Sequence, residues 1–187
     1  IARREGREPQ EVAYDILLER DGHELIFLPF TNYTERNHEI ILEMMKDDQS
    51  LFGLGDGGAH CGLICDATIP TYLLTHWARD RNRGERLPLE WIVKRQTRDN
   101  AEFFGLHDRG TLAPGMKADV NVIDFDRLTL KPPHIVHDLP AGGRRLVQKA
   151  EGYLATIQSG QVTFEQGVHS GALPGTLVRG RQKPPAA

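Results

Sequence analysis

The chain has 187 residues, of which 39% are hydrophobic and 26% are charged, and its formal net charge is −3. When the 19 glycines are added, the apolar share is roughly one half, which is ordinary for a folded protein and excludes a disordered, collagen-like or coiled-coil chain. The charge balance provides no basic surface for nucleic acid, and the two cysteines are too few for a disulfide framework.

Helices are the first elements that the sequence pattern predicts. Apolar residues recur at helical spacing in four segments, which are residues 9–22, 34–46, 69–81 and 89–104. Pro9 suits the first turn of the first helix, and Thr34 is the expected N-cap of the second. We expect each helix to bury one face.

Two continuous apolar runs, residues 25–28 and residues 51–54, have the length of strands. Each run is followed by a helix, which is typical of strands that are buried on both faces of a parallel sheet. The sequence therefore predicts at least two βα units. Asn32 and the glycine-rich residues 53–60 then occupy loops at the carboxyl ends of the strands.

The C-terminal part of the chain has a different pattern, with short β-type runs broken by glycine and proline. Pro114 and Gly115 suit the two central positions of a type II turn. A strand is predicted over residues 119–124, and residues 153–157 and 162–164 are predicted to pair as a β-hairpin. These elements predict a small β domain.

The segment GLGDGGAH, residues 53–60, is the densest candidate for chemistry. Its glycine spacing formally matches a dinucleotide-binding loop, but no helix starts directly after it and no βαβ unit surrounds it. A tight turn with a solvated Asp56 is the simplest alternative. In the third hypothesis, Asp56 is a catalytic residue at the carboxyl end of a barrel strand, where barrel enzymes place their reacting groups.

A resemblance to metal-dependent amidohydrolases is carried by GLGDGGAH together with LPLEWIVKRQT at residues 87–97 and LHDRGTLAPGMKAD at residues 106–119. DLPAGGRR at residues 138–145 and GALPGTLVRG at residues 171–180 resemble the N-acyl-D-amino-acid deacylase (D-aminoacylase-like) branch. The resemblance implies an α/β fold. It consists of the C-terminal portion of a (β/α)8 TIM barrel over residues 1–108 and a small β-sandwich domain with a polar tail over residues 109–187.

The resemblance also implies a site centred on Asp56. Asp56 matches the aspartate that follows the final barrel strand, and it is expected to bind a divalent metal ion, zinc foremost. Its carboxylate is expected to take a proton from the attacking water and return it to the departing amine. The other metal ligands, which include a His-x-His pair, are expected upstream of Ile1, because no His-x-His occurs in this sequence.

Three further residues, His60, Gly57 and Asn32, are expected to contact the substrate. The alternatives are that His60 only bonds a loop carbonyl and that Asn32 only forms a turn. The sequence departs from the family pattern in two ways. Gly55 stands where many relatives have serine, and the deacylases' His-Pro-Arg segment, with its arginine for the substrate carboxylate, is missing near Asp56.

Other polar residues are predicted to have structural roles only. Cys61 and Cys65 are expected to be reduced and buried rather than bound to zinc, because their spacing matches no common zinc site. Histidines 76, 134 and 137 are assigned to surface or packing positions, and the charge run over residues 79–86 is predicted to be solvated.

The resemblance predicts a metal-dependent hydrolase of C–N amide bonds that acts on a small N-acyl amino acid, as an N-acyl-D-amino-acid deacylase does, or on a related amide. One alternative is a cyclic-amide hydrolase of the hydantoinase or dihydropyrimidinase type, which needs the same activated water. The other alternative is a non-catalytic association module.

The chain is also expected to be a C-terminal fragment. A complete barrel needs about 250 residues, and roughly 105 precede the β domain here. We therefore expect the chain to be inactive alone and to self-associate as a homo-oligomer or an aggregate. No apolar run is long enough for a membrane span and the charged N-terminal residues do not form a signal peptide, so a cytoplasmic location is expected.

Overall fold

The computed structural model describes residues 1–28, 31–53 and 55–185. These residues form a mixture of helices and strands, as the predicted α/β class requires. The helices are α1 (Ala2–Glu5), α2 (Pro9–Gly22), α3 (Glu39–Lys46), α4 (Ile69–Tyr72), a π-helix (Leu73–Asp80) that continues α4, α5 (Leu89–Gln96) and α6 (Arg98–Phe103). No helix within the described ranges is both long enough and apolar enough to cross a membrane.

The strands all lie in the C-terminal part of the described chain. They are β1 (Val120–Ile123), β2 (Thr129–Leu130), β3 (His134–Leu139), β4 (Gly143–Val147), β5 (Ala150–Glu151), β6 (Tyr153–Gln158), β7 (Gln161–Glu165) and β8 (Val168–His169). They form a four-stranded sheet in the order β1-β6-β7-β8 and two pairs, β2-β5 and β3-β4. Every pairing of these strands is antiparallel.

The predicted helices are found, with two corrections. Residues 89–104 form two helices, α5 and α6, because Thr97 between them has a non-helical φ of −119° and ψ of −81°. The second helix begins at Glu39 and not near Thr34, so Thr34 is not its N-cap. Arg36 has a left-handed φ of 57°, which a continuous α-helix does not accommodate. The side-chain oxygen of Asn37 instead accepts a hydrogen bond of 2.9 Å from the backbone N–H of Glu39, and the helix starts from this turn.

The two predicted parallel strands do not form within the described residues. Residues 25–28 and residues 51–53 have no strand structure, while Leu54 and the loop residues Pro29 and Phe30 lie outside the described part. Phe27 is 87% exposed. A parallel strand needs neighbours that bond its backbone N–H and C=O groups, and the described chain offers these runs no such neighbours. The prediction of two complete βα units was therefore wrong for this chain, and an incomplete TIM barrel stays a proposal.

The predicted β elements agree closely with the structure. Met116 donates a backbone hydrogen bond of 3.1 Å to Ala113, and Gly115 has a φ of 84°, so the turn at Pro114 and Gly115 forms as predicted. Strands β6 and β7 form the predicted hairpin, with Gln158 paired to Gln161. A β-sandwich is a more specific arrangement than these sheets establish.

One hydrophobic core joins the helices to the β region. Its buried members are Leu42, Met45, Leu74, Trp77, Leu87, Ile92 and Leu128. Leu128 comes from the β region and is completely buried, as is Ile92 of α5. A Cβ atom on Gly152, which has a φ of 98°, would lie only 2.6 Å from the Leu128 Cα, so glycine is needed for this close approach. The division into domains at residues 108 and 109 stays a prediction.

Candidate functional site

Residues 55–68, here called the Asp56 loop, connect the segment after α3 to α4. The loop is built from backbone turns. Ala59 donates a hydrogen bond of 2.9 Å to the Asp56 carbonyl, and Leu63 donates one of 2.7 Å to the His60 carbonyl. Such turns need no distant partner, so the glycine-rich sequence can form them alone.

Two glycines of the Asp56 loop are required by close packing. A Cβ on Gly57 would lie 3.0 Å from the backbone nitrogen of Ala67, and a Cβ on Gly55 would lie 3.0 Å from the Cβ of Asp66. Both halves of the loop therefore approach each other at the glycines. This packing gives a physical reason for glycine at position 55.

The Asp56 loop is tied to the β region by two hydrogen bonds. The Cys61 carbonyl accepts a bond of 2.6 Å from the backbone N–H of Leu146 in β4. At the other end of the loop, the Thr68 hydroxyl donates a bond of 2.6 Å to the side-chain oxygen of Gln148, just after β4. These bonds hold the loop against the edge of β4.

Asp56 itself is exposed to solvent. Its backbone N–H donates a long hydrogen bond of 3.4 Å to Asp66 Oδ2, across the loop. Among the described residues no group of three or more His, Cys, Asp or Glu side chains is placed to hold a metal ion. The described part of this chain therefore does not by itself fit a bound divalent cation.

The other candidate substrate contacts are also exposed. Gly57 and His60 belong to the Asp56 loop, and Asn32 lies on the segment before α3. Asn32 and His60 have positive φ angles of 55° and 43°, which are typical of turns. Within the described ranges no side-chain hydrogen bond links Asn32, Asp56 and His60 to one another. Their roles in substrate binding stay predictions.

The two cysteines are free and partly buried. Burial raises the pKa of the Cys65 thiol, and the nearby charge of Asp66 raises it further. A raised pKa keeps the thiol protonated at neutral pH, and a protonated thiol is a weak nucleophile and a weak metal ligand. Cys65 is therefore assigned a packing role.

The prediction that residues 79–86 are solvated was wrong for Arg81, and Arg79 is partly buried. Arg81 is only 3% exposed; it pairs with Glu39 of α3, and its guanidinium carbon lies 4.3 Å from the centroid of the Trp77 ring. Arg79 donates a hydrogen bond of 2.7 Å to the Leu128 carbonyl. Arg81 is the first residue after the π-helix, with an extended ψ of 123°, and from this position its side chain reaches back over Trp77.

The span of the chain that matches a known family includes both the Asp56 loop and these arginines. The sequence model of the amidohydrolase family matches residues 17–164, which is well over half of the chain. The chain belongs to the amidohydrolase family. The resemblance carried by the motifs is thus confirmed at the level of the superfamily, whereas the D-aminoacylase branch is a more specific assignment than the match supports.

Two curated relatives are similar to this amidohydrolase chain over a shorter stretch. Both are 5-methylthioadenosine/S-adenosylhomocysteine deaminases of Desulfitobacterium hafniense, from strains DSM 10664 / DCB-2 and Y51, and each is 42% identical over 67 residues. The aligned stretch covers 33% of this chain and 15% of each relative. The chain therefore spans about 15% of the length of the curated relatives that it matches. No solved structure matches it.

Proposed function

We propose that this chain is part of a hydrolase of C–N bonds. The observation that carries the proposal is the family match over residues 17–164, and the similarity to two deaminases supports it. Amide hydrolysis and deamination share one chemical step, in which water attacks a carbon that bears nitrogen and the nitrogen leaves with an added proton. The shared step makes this the coarsest function that fits both comparisons.

The role that we propose for Asp56 is proton transfer. Its carboxylate accepts a proton from the attacking water and then donates it to the departing nitrogen. Support comes from the resemblance of its motif to the family segment that carries the aspartate. The exposed position of the side chain is shared with the alternative of a solvated turn residue. His60 and Gly57 are the nearest loop residues that would contact this substrate, and Asn32 would contact it from the neighbouring segment.

The amidohydrolase family is generally metal-dependent, but the described residues of this chain do not form a metal site. Any zinc ion in the intact enzyme would require ligands from outside these residues. We therefore propose that this chain contributes Asp56 alone to such a site, and that the chain by itself is inactive.

For the substrate we propose an N-acyl-D-amino acid, on the strength of the motifs at residues 138–145 and 171–180. Water then adds its oxygen to the acyl carbonyl, the C–N bond breaks, and a carboxylic acid and a free amino acid leave. The second candidate is a deaminase of an aminopurine nucleoside, which the 42% identity to the two relatives favours. In that reaction oxygen replaces the amino group and ammonia leaves.

A substrate panel separates these candidates. The product of the complete reading frame and the 187-residue chain are each incubated with N-acetyl-D-amino acids, hydantoin, dihydrouracil and 5′-methylthioadenosine. Released amino acid, ring-opened product and ammonia are measured separately. We expect amino acid release by the complete product and no turnover by the 187-residue chain. Ammonia release alone selects the deaminase, ring opening alone selects a cyclic-amide hydrolase, and no turnover of any substrate favours an association module.

Our first prediction tests Asp56 in the complete product. Asp56→Asn retains the shape of the side chain but removes its basic carboxylate, so we expect kcat to fall by about 10²- to 10⁴-fold. The matched control is Asp48→Asn, which changes another exposed aspartate outside the Asp56 loop and should leave kcat unchanged. Full turnover by Asp56→Asn would contradict the assigned role.

A further inference from the structure

A cavity of about 320 Å³ lies between the segment before α3 and the loop after the π-helix, and it does not include Asp56. We call it the Arg81 cavity. The side chains that decide its chemistry are Tyr33, His38, Glu39, His76, Arg81 and Arg83. The volume is that of roughly ten water molecules, which is enough for a small organic ligand.

The charges around the Arg81 cavity do not balance. Glu39 is the carboxylate of the lining, and it is already paired with Arg81. Arg83 is exposed, and no carboxylate of the described residues lies within ion-pair distance of it. Its guanidinium makes only a long contact of 3.5 Å with the Arg36 carbonyl. Two guanidinium groups against one carboxylate leave one net positive charge at the cavity.

Two buried nitrogen atoms beside the cavity have no hydrogen-bond partner among the described residues. Arg81 donates through Nε to the Arg83 carbonyl, at 2.7 Å, but its Nη1 has no partner among the described residues. The cation–π contact with the Trp77 ring stabilises the charge of the guanidinium but does not supply a hydrogen-bond acceptor for Nη1. His76 Nε2 is also buried without a partner in the described part of the chain. The unpaired donor of Arg81 adds to the positive potential of the cavity, whereas His76 Nε2 is a donor or an acceptor according to its tautomer.

Aromatic rings form a further part of the lining, which Asn37, Asn82 and Gly84 complete. The His38 ring lies 5.2 Å from the Tyr33 ring and 5.6 Å from the His76 ring, measured between centroids. Burial lowers the pKa of both histidines, and the charge of Arg81 lowers it further. Both imidazoles are therefore neutral at pH 7, and their flat rings offer an apolar surface to a ligand.

We propose that the Arg81 cavity binds the carboxylate of a small organic monoanion with a flat apolar body. Arg83 makes the direct ion pair from the rim, while the buried Arg81 contributes its charge and the aromatic rings pack against the body. One net positive charge matches one carboxylate. Inorganic phosphate fits less well, because it carries up to two charges and has no apolar part to cover the rings.

Benzoate and benzamide test this second prediction, because they differ in charge but hardly in shape. The purified chain is titrated with each compound by calorimetry, and the indole N–H signal of Trp77 is followed by NMR. We expect benzoate to bind with a Kd on the order of 1 mM and to shift the Trp77 signal, and benzamide to bind at least about tenfold more weakly. Equal affinity for the two compounds, or no benzoate binding, would overturn the proposal.

Variants then locate the ion pair. Arg83→Gln should weaken benzoate binding about tenfold, and Arg83→Lys should weaken it by less, because lysine keeps the charge but loses the two parallel hydrogen bonds of the guanidinium. The matched control is Arg3→Gln, an exposed arginine in α1 far along the chain, which should leave binding unchanged. Circular dichroism verifies that each variant is folded. Benzoate binding that is insensitive to Arg83→Gln contradicts the site, and tighter binding of inorganic phosphate than of benzoate contradicts the ligand class.

Discussion

The helical layer around Trp77 and the Asp56 loop are stabilised by different means. In the helical layer, Trp77 is 2% exposed and Ile92 is fully buried, so the burial of apolar surface stabilises it. In the Asp56 loop, Asp56 and His60 are exposed, and backbone turns and hydrogen bonds to the β region hold the chain. The comparison suggests that packing within this chain suffices for the first region, whereas the second depends on a small number of polar contacts.

The apolar run over residues 25–28 illustrates the same difference. A helix satisfies its own backbone hydrogen bonds and needs only one covered face, so α5 folds against the core that this chain provides. A barrel strand requires neighbours on both edges and cover on both faces. Within the described part of the chain these neighbours are not found, and Phe27 is left exposed.

Our third prediction has the largest expected effect on the free energy of unfolding, and it tests the contribution of buried apolar surface. Trp77→Ala should lower the free energy of unfolding by about 3–5 kcal/mol, because it leaves a cavity in the core and removes the ring beneath Arg81. Phe27→Ala should change it by less than about 0.5 kcal/mol, because Phe27 is exposed. Urea denaturation followed by circular dichroism measures both values.

A milder core variant keeps this test informative if Trp77→Ala does not fold. Ile92→Val removes one methylene from a fully buried side chain and should cost about 1 kcal/mol. If Phe27→Ala destabilised the chain more than Ile92→Val did, the apolar run would be packed in solution. The comparison between the regions would then fail.

The fourth prediction concerns the pH dependence of the folding stability, which we attribute to two histidines beside the helical layer. The pKa values of His38 and His76 are lowered from the ordinary 6.5, firstly by burial. The unfolded chain therefore binds more protons than the folded chain just below pH 6.5. Stability should be complete above this pH, fall as the pH drops through the interval between 6.5 and the lowered folded values, and then level off.

The charges that face these two imidazoles oppose each other in part. Arg81 lowers both pKa values and Arg83 lowers that of His38, whereas Glu39 raises the pKa of His38 and Asp80 raises that of His76. The phenol groups of Tyr33 and Tyr72 complete the surroundings, and their rings pack against His38 and His76.

Thermal melts between about pH 8 and about pH 5 measure this dependence. His76→Gln should flatten the curve, and His137→Gln, which alters an exposed histidine of β3, should not. A melting temperature that is constant over this range would show that the two imidazoles do not couple to folding.

The difference between the regions also explains what the sequence could predict. The helices, the turn at Pro114 and Gly115 and the β6-β7 hairpin depend on near neighbours in the chain, and their patterns located them. The strands at residues 25–28 and 51–54 were predicted from apolarity alone, which does not reveal whether a pairing partner exists. The family of Asp56 could be recognised from its motif, but its surroundings could not be inferred, because they depend on distant contacts.

For Arg81 the error ran in the other direction, because the charge pattern predicted a solvated side chain and the structure has it buried and paired. A run of arginines and acids normally indicates a solvated surface. Here one member of the run is buried because Glu39, forty-two positions earlier in the chain, supplies the partner charge. The burial of Arg81 and the identity of its partner both required the fold.

Our fifth prediction has the smallest expected effect on stability, and it tests the polar contacts of the Asp56 loop. Thr68→Val removes the hydroxyl that donates to Gln148 while it retains the size of the side chain. Loss of one such hydrogen bond should cost about 1 kcal/mol and speed amide hydrogen exchange within residues 55–68 about fivefold, with little change in the exchange of α5. Thr111→Val, which alters an exposed threonine, is the matched control. If exchange instead increased equally in α5 and in the loop, the two regions would open as one cooperative unit, and the loop would share the stability of the core.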